Sequence, residues 1–241
     1  MKRIFFAAIF IFITTSIFAQ DSTKTTSKKK ANLANRANDH FLMQFGYSGW
    51  AGRPDSIHTK GFSRSFNMYF MFDFPFRSNP KISAAIGAGV GTDNIFFEKT
   101  YIGLKESTPT LRFQDLSDTT HFKKYKLATA IIEAPLELRY SSNPETPNKS
   151  FKVAIGLKAG LLVNAHTKGK TWESSTGATL ITYTEKQADK HYFNSSRFAG
   201  TARIGYGVFS VFGTYQINAP FKTGFGPDVH PYTIGLTLSG L

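Results

Sequence analysis

Cysteine is absent from the 241 residues, which excludes disulfides, a lipid-anchored N-terminal cysteine, thiolate metal sites and thiol nucleophiles. Acidic residues are scarce, 16 against 29 lysines and arginines, for a formal net charge of +13. Beyond about residue 18 no unbroken hydrophobic run approaches the ~20 residues that a membrane-spanning helix needs. The basic residues do not form one stripe interleaved with aromatics, so nucleic acid is not the expected partner. The abundant residue is phenylalanine, with 24 copies.

The start of the chain must be set aside before its fold is read. Lys2 and Arg3 precede an uncharged stretch from Ile4 to Phe18, and a small residue, Ala19, follows. A charged head, a short apolar run and a small residue at the cut are the grammar of a secretory signal peptide, expected here over 1–19. Residues 20–39 are polar, lysine-rich and without periodicity, which predicts a flexible periplasmic segment. Lys28, Lys29 and Lys30 within it read as a solvated tail. An exported basic protein meets anionic head groups, so outer-membrane lipid and lipopolysaccharide are the expected surroundings.

The clearest signal runs from Lys126 to Asn164. In its first arm Ile132, Ala134, Leu136, Leu138 and Tyr140 share one face, and Ile131, Glu133, Pro135, Glu137 and Arg139 share the other. The second arm sets Phe151, Val153, Ile155, Leu157, Ala159, Leu161 and Val163 against Lys152, Ala154, Gly156, Lys158, Gly160, Leu162 and Asn164. This is a period of two, kept up for longer than an ordinary strand of about 5–6 residues. One face is continuously apolar, and the other mixes small residues with full charges. A small membrane barrel has this pattern, with the apolar face on lipid and the charges in a narrow lumen. Placing Tyr140 opposite Phe151 would set Glu133 opposite Lys158.

The same alternation recurs at about 40–50, 61–74, 81–91, 193–206, 211–218 and 231–241. The expected fold is therefore all-β, an eight-stranded antiparallel transmembrane β-barrel over 40–241 with long extracellular loops. The second, fourth and sixth connections are shorter than most of the others, which puts them on the periplasmic side. Phe41, Phe72, Phe74, Tyr140, Phe151 and Tyr206 fall near that end, and Trp50, Phe62, Tyr125 and Tyr232 near the other. The run Gly87-Ala88-Gly89-Val90-Gly91 lacks the lysine of a phosphate loop and fits the strand period, so its glycines face the lumen.

Three stretches carry a family resemblance: Glu133-Ala134-Pro135-Leu136 with the trailing Leu138-Arg139-Tyr140, Phe18-Ala19-Gln20, and Tyr232-Thr233-Ile234-Gly235-Leu236. Together they resemble small bacterial outer-membrane barrels of the PorT-like type, over about 40–241. The resemblance implies a Gram-negative cell envelope and the barrel fold. The family's best-known member works in the export of proteins to the cell surface. The sequence departs from many such barrels in ending on Leu241 where they carry an aromatic residue.

The candidate site residues are the inward charges Asp73, Glu133, Glu137, Arg139, Lys152, Lys158, Arg197 and Arg203, read as a structural polar network in the lumen. Glu133 and Glu137 lie roughly 13–14 Å apart along one strand face, beyond the separations of a glycosidase pair. An acyl-editing enzyme would need a serine beside a histidine. His166, His191, Ser195 and Ser196 lie near one loop, but no histidine–serine motif accompanies them. Asp228 and His230 are a pair, short of a metal-ligand set. No catalytic residue, metal or cofactor is therefore expected. The leading expectation is a non-enzymatic barrel whose loops or periplasmic tail bind a protein partner or a surface glycan. The alternatives are a lipid-modifying enzyme and a soluble exported lipid-binding barrel, which would need an apolar lumen. Segments 92–124 and 165–192 are expected as long outer loops, the first extending strands or docking on a partner and the second carrying a short hairpin around 179–183.

Overall fold

The computed structural model describes residues 41–240. The expected signal peptide (1–19) and periplasmic segment (20–39) lie outside the described residues.

The strands are β1 (Phe41–Ala51), β2 (Arg64–Pro75), β3 (Ile82–Phe97), β4 (Thr100–Ile102), β5 (Phe113–Asp115), β6 (His121–Ser141), β7 (Phe151–Glu173), β8 (Thr179–Ala188), β9 (Ser196–Tyr206), β10 (Phe209–Gln216) and β11 (His230–Ser239). Eight of them form a closed antiparallel ring in the order β6-β3-β2-β1-β11-β10-β9-β7, with β7 pairing back to β6. β1 and β11 close it in continuous register from Leu42↔Ser239 to Ala51↔His230. β4 and β5 form a small separate sheet.

The apolar faces point outward as expected. Ile132, Leu136, Leu138, Ile155, Leu157, Leu161, Phe70, Phe72 and Ile234 are among the large hydrophobic residues left exposed. Glu133, Lys158 and Arg203 are buried, at 2%, 3% and 6% exposure. A soluble lipid carrier reverses this, so that alternative falls. The inward glycines make room: a Cβ on Gly89 would sit 2.5 Å from the Tyr69 ring, which fills the lumen there. Gly207 has φ of 61°, as the first residue of a two-residue hairpin between β9 and β10 requires.

The register of the β6–β7 hairpin corrects the expectation. Tyr140 lies opposite Val153, not Phe151, so Glu133 faces Gly160 and Lys158 faces Pro135. The ladder continues through Ser141, and the turn closes where the Ser142 N–H donates to the Phe151 carbonyl (2.9 Å). This register puts a glycine across from each glutamate, since Glu137 faces Gly156. Cβ atoms on Gly156 and Gly160 would crowd the two glutamate side chains at 3.0 and 3.1 Å. The slip is of two residues, so every side chain keeps its face.

At the long-loop end strand runs into both segments expected as loops, extending β3 and β6 within 92–124 and forming a β7–β8 hairpin within 165–192 that is longer than the short one expected around 179–183. β6 and β7 run for 21 and 23 residues, well beyond the ~9–11 that cross a membrane. β7 pairs with β9 up to Leu161 and with β8 from His166 onward, so β8 takes over where β9 stops. A bulge pairs Ala130 with Asn164 but Ile131 with Leu162. It puts the exposed Asn164 on the outward face, where a strict period of two had it inside. Two of the four aromatics expected at the outer rim, Trp50 and Tyr125, pack into an interior cluster.

Candidate functional site in the lumen and at its mouth

The barrel interior holds two layers of charge. Nearest the short turns, Glu137 accepts from Arg139 Nε (2.8 Å) and Arg203 Nη2 (3.0 Å). Asp73 lies 3.8 Å from Arg139 Nη1 and accepts from the Ser83 hydroxyl at 2.6 Å. In the second layer Arg197 Nη1 lies 3.2 Å from Glu133 and 3.0 Å from Asp93. The Tyr69 hydroxyl donates to Glu133 and accepts from Lys158 Nζ at 3.0 Å. Lys158 also donates to Gln44 (3.1 Å), and Gln44 donates to Thr237 (3.2 Å). Burying these ions is expensive unless each is paired and hydrogen-bonded, and the layers supply partners from four or more strands.

Of the eight residues named from the sequence, Asp73, Glu137, Arg139 and Arg203 come together in the first layer. Glu133, Lys158 and Arg197 come together in the second. Glu133 and Lys158 meet through Tyr69 and not across the hairpin. Lys152 is buried on β7, opposite Ser141 and Gly205 in the neighbouring strands. The sequence reading missed Asp93, Tyr69 and Gln44 as members. Asp93 continues the inward series Gly87, Gly89, Gly91, and extending the period by one step would have found it. Tyr69 and Gln44 carry no formal charge, which hid them from a search for ions.

Above the second layer the chemistry changes. Ile57, Ile95, Phe97, Ile102, Leu104, Leu111, Phe122, Tyr125, Leu127, Tyr192, Phe193, Phe221 and Val229 form one buried cluster. They come from the ends of β3 and β6 and from all four long connections. Trp50 meets Phe97, Phe221 and Phe113 edge-on, with centroids 5.6, 5.8 and 6.3 Å apart. The Tyr125 hydroxyl donates to the Ile102 carbonyl at 2.9 Å, and burial pushes its pKa well above that of an exposed phenol. The Leu111 N–H donates to the Phe225 carbonyl (2.7 Å), stitching the second long connection to the last. These loops form a folded cap. Between cap and charge layers is a cavity of about 50 Å³ bordered by Ser48, Asp93, Leu162 and Arg197, room for a few waters.

A family model described as an outer membrane protein beta-barrel domain matches residues 18–237. The chain belongs to that family. This outer-membrane barrel has a charged interior at membrane depth and an apolar cap at its mouth. No curated protein matches the sequence. Among solved structures it is similar to Ail, the attachment invasion locus protein of Yersinia pestis. A complex of Ail with the heparin analogue sucrose octasulfate shares 12% identity and a TM-score of 0.34. A second Ail structure shares 13% identity and a TM-score of 0.33. Each alignment covers 83% of this chain and 94% of the Ail chain.

His166, His191, Ser195 and Ser196 do not assemble into a catalytic group among the described residues. His166 Nδ1 is 2.8 Å from Asn164 Oδ1, and the His191 ring packs on Tyr192 and Phe225. His230 lies 3.9 Å from Asp228 and stacks on Tyr215. Among the described residues no three His, Asp or Glu side chains gather as metal ligands.

Proposed function

We propose that this outer-membrane barrel is a non-enzymatic binding protein, oriented with its long-loop end outward, whose folded cap is recognised by a protein partner or a surface glycan. The lumen charges serve as a structural network that holds the ring together. Short turns inside and long loops outside are the rule for such barrels, and this supports the orientation. The observation that carries the reading is the cap: four long connections converge on a single aromatic core. Ordering so much loop costs roughly 1–2 kcal/mol per residue in backbone entropy. A mere closure of the lumen would need far less chain, and a fixed surface is what recognition needs. Both glutamates of the lumen are already held by guanidinium groups, which favours scaffolding over acid–base work.

The β8 hairpin offers three exposed apolar residues close together on that surface, Leu180, Ile181 and Tyr183. The PorT-like resemblance suggests an accessory role in protein export, with lipopolysaccharide and other outer-membrane lipid around the barrel wall. The test is a strain lacking the protein, complemented with the native chain or with Leu180→Ser/Ile181→Ser/Tyr183→Ser. Loss of a surface-exported protein in the null strain, restored by the native chain and not by the triple variant, is the expected outcome. Unchanged export in the null strain removes the export role. A change in lipid A mass that depends on the protein would replace this reading with the enzymatic one.

A further inference from the structure

The outward face of the extended strands carries cations in register. Lys126 of β6 lies opposite Lys168 of β7, which lies opposite Lys186 of β8. Two residues further from the lipid-facing band, Lys124 lies opposite Lys170. His166 lies two residues nearer to it on β7. Like charges directly opposite on neighbouring strands destabilise a sheet. Two other lysines at this end are neutralised: Lys123 has Glu173 at 2.8 Å and Lys60 has Glu98 at 3.2 Å. Among the described residues no carboxylate comes within 4.0 Å of any lysine in the row. Lys126 finds only the neutral Asn94 Oδ1, at 2.6 Å, and the face of the Phe96 ring. The cations feel one another. Burial, then the charges of Lys168, Arg64 and Lys170, lower the Lys126 pKa, while burial, then Lys186, Lys126 and Lys168, lower that of His166.

The position of the row says what would relieve this repulsion. Val163 is the last large apolar residue on the outward face of β7 before Asn164, His166 and Lys168. Five residues at ~3.3 Å, tilted ~40°, lift Lys168 about 12 Å above Val163 along the membrane normal. That is a few ångströms beyond the ~5–8 Å head-group layer that borders the hydrocarbon. A lysine side chain reaches several ångströms back toward the membrane. Lysines on adjacent strands about 5 Å apart can grip one phosphate between two ammonium groups. The row is on the side wall of the barrel, continuous with Ile132 and Leu161 below it, and not on top of the cap. A lipid can pack its chains on that band while its head group meets the lysines. A soluble polysaccharide would have no reason to favour the wall.

We propose that the Lys126–Lys168–Lys186 row, flanked by Lys124, Lys170 and His166, binds the phosphates of an anionic glycolipid in the outer leaflet. The inference rests on the long-loop end facing outward.

The experiment uses the full chain folded in neutral detergent micelles, with bisphosphorylated lipid A as the probe and native mass spectrometry as the readout. The variant Lys126→Gln/Lys168→Gln/Lys186→Gln is expected to bind lipid A on the order of 100-fold more weakly. Dephosphorylated lipid A should bind the native chain about as weakly, with no further loss in the variant. In lipid-free micelles the variant should melt at or above the native temperature, because the repulsion is gone; with lipid A the native chain should gain more. Lys60→Gln should bind like the native chain. Equal lipid A affinity of variant and native chain overturns the proposal. So does a native chain that binds inorganic phosphate or a soluble sulfated oligosaccharide as tightly as lipid A. Amine labelling of intact cells tests the orientation separately: a row unreachable from outside refutes that premise whatever the binding shows.

Discussion

The membrane-level half of the barrel and its mouth are built from the same strands with opposite logic. At membrane depth β6 turns Glu133, Glu137 and Arg139 inward and Ile132, Leu136 and Leu138 outward. Towards its start the same strand turns Tyr125 and Leu127 inward and Lys124 and Lys126 outward. β7 makes the same exchange, from Lys158 inside and Leu157 outside to Ala165 inside and Lys168 outside. The backbone is continuous through the change, so secondary structure does not decide it. The solvent does. Where hydrocarbon surrounds the ring, charges retreat to the lumen, and where water surrounds it, the aromatics do.

The comparison can be broken from either side, and the largest effects should come from the two interiors. Glu137→Ala strands Arg139 and Arg203 in a buried layer and should cost about 3–5 kcal/mol, read as urea unfolding in micelles. Phe97→Ala, in the cap, should cost a similar ~3–5 kcal/mol but locally. Its signature is faster hydrogen exchange across 98–120 with the heat-modifiable shift of the ring retained. Next come the outward faces. Leu157→Arg should lose about 2–4 kcal/mol in a bilayer, whereas Lys168→Leu, above the boundary, should not destabilise. Equal costs at those two positions would place the boundary elsewhere. Tyr69→Phe removes the hydroxyl between Lys158 and Glu133 and should cost about 1–3 kcal/mol.

The smallest effect is a pH dependence at the rim. Burial and neighbouring lysines hold His166 below its ordinary value of 6.5. The unfolded chain therefore takes up the proton first as pH falls below about 6.5, so this group's contribution to stability is lost on acidification and regained as pH rises. Chemical-shift titration of His166 in micelles should give a midpoint below 6.5, raised in Lys186→Gln.

This polarity exchange also explains what could be read from the residues alone. The ring, its strand faces and the inward position of all eight named charges followed from a period of two at membrane depth, where lipid and lumen impose the sharpest contrast. Asp93 escapes such a reading because the glycine series that marks the third strand stops at Gly91, although the strand itself runs on to Phe97. Segments 92–124 and 165–192 read as loops because the faces swap there and the bulge beside Val163 breaks the period. Glu133 does not pair with Lys158 because attraction between charges does not set this register; the glycines opposite each glutamate and the turn closed by Ser142 do. The convergence of Ile57, Phe113, Phe193 and Phe221 could not be foreseen, because no local pattern links four separate connections.

The seam between β1 and β11 has a kinetic consequence. Gln44 and Thr237, hydrogen-bonded across it, are 193 positions apart, so the two ends of the β-meander must find each other last. Until they do, each exposes a raw edge able to pair with another chain. Such distant contacts make for slow closure, and an assembly factor that shields both edges would matter more here than any that hastens the local hairpins.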